Sequence, residues 1–97
     1  MQHRQHRLHQ LFVEGIAVDT RLADLVIVTH DGNPEPDWEL VAHTTSTMRL
    51  ERRAYQLDML TTEGKRLCGD ALLVRAVETA LVFRGAGPLS TATTGSR

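Results

Sequence analysis

Hydrophobic and polar positions alternate most clearly over residues 24–30, where Val26, Val28 and His30 fall on one side and Leu25, Ile27 and Thr29 on the other. A β-branched run of period two predicts a strand. The segment Asp31-Gly32-Asn33-Pro34-Glu35-Pro36-Asp37 breaks the run with two prolines, a glycine and an asparagine, and Trp38, Leu40 and Ala42 resume it beyond the break. This reads as a hairpin with a long loop. If His30 and Trp38 flank that loop, Val28 lies opposite Leu40 and Val26 opposite Ala42, giving one continuous apolar face. The other face, with Leu25, Ile27 and Val41 beside Glu39 and His43, is half polar and calls for a cover.

A second hairpin centres on Thr62-Glu63-Gly64-Lys65, where Gly64 can take the positive φ of a bulged three-residue turn. Pairing Thr61 with Lys65 sets Met59 opposite Leu67, Leu57 opposite Gly69 and Tyr55 opposite Ala71, all on one face. Turn chemistry and register therefore agree. Leu50, Ala54, Leu57 and Leu60 also follow helical spacing, with Ser46 or Thr47 as a cap and Gly64 as a stop, so a short helix over residues 47–56 competes with strand. Upstream, Leu11, Val13, Ile16 and Val18 read as a strand bent near Gly15. Downstream, residues 71–77 and 80–83 read as two strands joined at Glu78-Thr79, and Gly85-Ala86-Gly87-Pro88 ends the second.

The expectation is a mainly β fold, an antiparallel meander of five or six strands forming a small barrel or sandwich. Its 97 residues, 41% of them hydrophobic, suffice for one such core. Residues 8–89 make the domain; residues 1–7 read as a flexible polar arm and residues 90–97 as a flexible tail.

The formal net charge is -1, which removes the basic footprint expected of a protein gripping nucleic-acid phosphates. The charge is uneven, however. Residues 1–10 hold two arginines and no acid, residues 11–46 seven acids against one arginine, and residues 47–97 eight bases against five acids. All but one of the bases are Arg, a residue favoured at protein contacts for its planar fork. Cys68 is the only cysteine, so no internal disulfide forms, and there is neither a signal-like start nor an apolar run long enough to span a bilayer. A cytoplasmic location without membrane partners is expected.

Candidate chemistry is sparse. His3, His6 and His9 recur every third residue but have no carboxylate or thiol among them, so a polar arm outweighs a metal clip. His30 and His43 fall on opposite faces in the pairing above and cannot act as joint ligands. Asp31, Glu35, Asp37 and Glu39 lack calcium-loop spacing and read as a solvated loop. Cys68 beside His43 would make a dyad, yet a lone strand cysteine is commonly a small buried hydrophobe. The glycines of Arg84-Gly85-Ala86-Gly87-Pro88 could cradle an anion, but no helix starts there and the P-loop Lys-Ser/Thr is missing, so a strand-ending turn is preferred. The four aromatics, Phe12, Trp38, Tyr55 and Phe83, are too few to fill both a core and a base-stacking platform.

No catalytic or metal residue is therefore assigned, and the isolated chain is expected to hold no cofactor and to be non-catalytic alone. What remains is an accessory or assembly subunit that meets a larger protein subunit, or itself, through Leu25, Ile27, Val41, Arg52, Arg53 and Arg84. In size, β-rich patterning and catalytic bareness the chain resembles the small subunits of two-component flavin enzymes such as the bacterial cyclodipeptide oxidases. That resemblance implies an oxidoreductase complex whose flavin belongs to the partner, and it carries over no cofactor residue. An oligonucleotide-binding barrel and a free-standing small-ligand-binding enzyme are the alternative classes.

Overall fold

The computed structural model describes residues 2–32 and 34–91, and all of its regular structure is strand. In chain order the strands are β1 (Gln2–Val13), β2 (Ile16–Val18), β3 (Thr20–Thr29), β4 (Asp37–Thr44), β5 (Ala54–Thr61), β6 (Arg66–Val77), β7 (Ala80–Gly85) and β8 (Ser90–Thr91). They pair antiparallel in the order β1-β3-β4-β7-β6-β5, and β5 returns to β1, closing a six-strand barrel. The short β2 lies on β1, and β8 on β6.

Closure is made by β1, which pairs with β3 over residues 2–7 and with β5 from Leu8 onward. A bulge between Leu8 and Gln10 bends it from one partner to the other. Residues 2–7 of the segment expected as a flexible arm are therefore the first half of a barrel strand, and residue 1 lies outside the described residues. The side chains of residues 2–7 give no apolar pattern, and β3 holds them through backbone bonds. Leu11 to Val18 is likewise not one bent strand. Glu14 and Gly15, both at positive φ, form a two-residue hairpin turn between β1 and β2. Ser90 and Thr91, expected in a flexible tail, are strand; the rest of that expected tail lies outside the described residues.

The second hairpin has the expected register: Tyr55 opposite Ala71, Leu57 opposite Gly69 and Met59 opposite Leu67. Gly64 sits at φ 92°, and Thr61 N donates to Lys65 O at 2.9 Å. The turn at Glu78-Thr79 also stands, with Glu78 at φ 55°. Residues 47–53 are not helical. They cross one end of the barrel, where Met48 and Leu50 pack against the core and Glu51 O accepts the Tyr55 hydroxyl at 2.8 Å.

The first hairpin pairs differently from expectation. Leu25 faces Leu40, Ile27 faces Trp38 and Val28 faces Asp37. This is an odd-numbered slip from the alignment of Val28 with Leu40, so β3 turns its other face inward. One fully buried row then runs across four strands through Leu25, Leu40, Phe83 and Leu73. Side chains fill the barrel axis, as a six-strand barrel requires. The Tyr55 ring meets Phe83 edge-on, with centroids 6.3 Å apart.

Candidate functional site

At one barrel end Trp38 crosses the interior toward β6 and β7. It fits because its neighbours there are glycines. A Cβ on Gly85 would overlap the indole, and one on Gly69 would come within 3.0 Å of Trp38 Cζ2 and of the Pro88 carbonyl. The indole Nε1 donates to Gly87 O at 2.8 Å, and Ala86 N donates to Asp70 O at 2.8 Å. The glycine turn thus seats a tryptophan, with a carbonyl and not an array of amides turned to the indole. That is the strand-ending turn expected from sequence, with the added role of a lid.

The outer surface over β3, β4, β7 and β6 is the most distinctive exterior of the barrel. Val41 pairs with Val82 on this face, both half-buried, and the neighbouring β6 exposes Leu72, Val74 and Val77, with Arg75 opposite Val82. Charged residues frame the strip: Arg84 stands opposite Glu39, and Arg7 Nε donates to Asp24 Oδ1 at 2.7 Å. At one end lies a shallow groove of about 470 Å³ floored by Val26 and Val28 and rimmed by His30, Asp37, Glu39 and Arg84. His30 Nε2 and Asp37 Oδ2 are 3.1 Å apart across its mouth.

The residues singled out from sequence do not form one surface. Leu25 is fully buried in the core, and Ile27 is half-buried against it, so neither belongs to an exterior face. The slipped register is the cause. Val41 and Arg84 do lie together outside. Arg52 and Arg53 are exposed on the segment crossing the far end, with the Arg53 guanidinium 4.1 Å from the Tyr55 ring centroid. Val26 and Val28, expected on the continuous apolar face with Leu40 and Ala42, take the outer places instead. Val82, Leu72 and Val74 were not singled out; the signal for them is the alternation within residues 71–77 and 80–83, which leaves one apolar residue in two on the outside.

The histidines separate as well. His30 and His43 share the outer face but sit at opposite ends of β4. His6 turns inward, its side chain 12% exposed and its Nδ1 3.1 Å from Glu63 Oε1. His3 and His9 are exposed. Among the described residues no three His, Cys, Asp or Glu side chains gather to hold a metal ion, and no helix is long and apolar enough to cross a membrane. Cys68 is half-buried and lies opposite Asp58 and Ser90 in the pairing, away from His43.

Comparison with protein-family models, with curated proteins and with solved structures finds no match for the chain.

Proposed function

We propose that this chain is an interaction module, a small barrel that completes or assembles a larger protein complex through the outer face of β3, β4, β7 and β6. The observation that carries the reading is the strip of Val41, Val82, Leu72, Val74 and Val77 on the outside of a barrel whose interior is already filled. Exposed apolar side chains grouped with arginines on one outer face mark contact sites on folded domains, and here Arg75 stands opposite Val82 and Arg84 opposite Leu72. The frame carries both signs, with Arg84 and Arg75 beside Glu39 and Asp24, which orients a partner during encounter. The partner is a larger subunit, a second copy, or both, and the setting is the cytoplasm.

The finer form of the reading is an accessory subunit of a flavin-dependent oxidoreductase, with the flavin held by the larger subunit. It comes from the resemblance in size and character. The oligonucleotide-binding alternative shares the barrel fold, but Trp38, Tyr55 and Phe83 are buried and Phe12 is half-buried, which leaves no exposed aromatic to stack a base.

Coexpression with the products of neighbouring genes, followed by size-exclusion chromatography with light scattering, tests the module. A stable complex or oligomer that Val82→Glu dissolves without lowering the unfolding midpoint is the expected result. Flavin absorbance following the larger subunit through the column tests the finer form. A monodisperse monomer that binds no neighbour overturns both.

A further inference from the structure

We infer that the open edge of β1 over residues 2–7 receives an acidic, extended segment of a partner protein as an added strand. The inference deepens the reading as an interaction module but uses a different surface from the outer apolar strip.

A strand has two sides, and over residues 2–7 only one is occupied by described residues. β3 takes that side in six consecutive pairs, from Gln2 opposite Thr29 to Arg7 opposite Asp24. On the other side β5 begins only at Leu8, and the last bond there runs from Thr62 N to Arg7 O at 2.8 Å. That bond fixes the direction of the free groups. In an antiparallel pair both backbone groups of a residue point the same way, and the direction alternates along the strand. Arg7 points away from β3, so Gln5 and His3 do too. Their N–H and C=O groups have no ladder partner among the described residues.

The barrel has a second staggered end, at β6 beyond Leu72, but there a bulge at Val74 interrupts the strand. Bulges blunt an edge against pairing. The β1 bulge instead falls between Leu8 and Gln10, at the closure, and leaves residues 2–7 regular.

Charge selects the occupant. His3, Arg4, His6 and Arg7 lie on this stretch, and residues 1–10 contain no acid. Arg7 is held by Asp24 and His6 by Glu63, while Arg4 makes no ion pair among the described residues. A second copy added across a two-fold axis would bring a second unpaired Arg4 to the same ribbon, and like charges across strands destabilise pairing. Residues 92–97 carry Arg97 and no acid, so they have no charge reason to fill the place. A strand rich in Asp or Glu gains both the backbone ladder and the Coulombic attraction, the mode of β-augmentation.

The probe is an eight-residue peptide alternating glutamate with valine, capped at both ends, compared with its lysine counterpart. Saturating glutamate peptide is expected to slow amide exchange at His3, Gln5 and Arg7 by at least ~10-fold. The amides of Arg4 and His6, already facing β3, change little. Gln5→Pro removes one donor from the open side while leaving the β3 ladder, because its N–H is not part of it; peptide binding is lost and the far-UV spectrum is kept. Arg4→Glu, which leaves every backbone group in place, shifts preference toward the lysine peptide. Equal binding of the two peptides by the unaltered chain, or no slowing at His3, Gln5 and Arg7, overturns the inference. So does dimerisation of the free chain that Gln5→Pro abolishes, which would assign the edge to a second copy. Val82→Glu leaves peptide binding intact, so failure of the outer face and failure of the edge are separately visible.

Discussion

The indole of Trp38 lies so close to Gly85 that a single added carbon there would overlap it. The two residues come from β4 and β7, and the absence of a side chain on one makes the place of the largest side chain on the other. Gly85→Ala forces the ring or the β7 backbone to move. Overpacking of this kind costs about 1–3 kcal/mol. Gly69→Ala meets the same ring at 3.0 Å and is expected to cost less than Gly85→Ala. Urea unfolding of the two variants checks the order, and a neutral Gly85→Ala would show that the ring does not rest there.

Trp38 is the only tryptophan, so its fluorescence reports this end of the barrel alone. Being 3% exposed, it is expected to emit at short wavelength in the folded state and to shift red on unfolding. Trp38→Ala leaves a cavity and is expected to cost about 3–5 kcal/mol. Trp38→Phe keeps much of the volume but leaves the Gly87 carbonyl without its donor, so its cost is smaller, about 1–3 kcal/mol. Emission already at solvent-exposed wavelengths in the native protein would contradict the packing.

How far the sequence discloses this fold differs between its two hairpins. The turn at Gly64 is short, its flanking strands are apolar on one face only, and a register error would have buried Gln56 or Arg66; the pairing was therefore legible. Residues 25–28 are apolar on both faces, and a seven-residue loop sets no register, so β3 alone cannot say which side is inner. The choice comes from β7, which presents Phe83 to Leu40 and completes the buried row with Leu25. Residues 2–7 were illegible for another reason. Their side chains are polar, and the bonds that hold them are backbone bonds to β3. The outer strip inherits both difficulties, because its members come from strands distant in sequence and one of its edges depends on the slipped register.

Glu78 adopts φ 55° in the turn between β6 and β7, a left-handed conformation costly for a residue with an ordinary side chain. Asparagine visits that region more readily. Glu78→Asn is thus expected to stabilise the protein by up to about 1 kcal/mol. Thermal unfolding at constant pH and salt measures it. A loss of stability would mean that the Glu78 side chain makes a contact worth more than the relieved strain.

Leu25 and Val26 are adjacent in sequence and opposite in fate, and substituting each tests the register of the first hairpin directly. With Leu25 facing Leu40, its side chain is fully buried in the row shared with Phe83 and Leu73. Leu25→Ala is expected to cost about 2–5 kcal/mol. Val26 faces Glu39 on the outside and is only half-buried at the floor of the groove. Val26→Ala should cost about 1 kcal/mol or less. The contrast sharpens with charge, since Leu25→Asp puts a carboxylate into the fully buried core row and is expected to prevent folding, whereas Val26→Asp puts it at the groove surface. Had β3 taken the alternative register, with Val26 opposite Ala42, the two positions would exchange roles. Urea midpoints for the four variants therefore distinguish the registers by sign, and greater damage at Val26 than at Leu25 would reverse the assignment of inner and outer faces.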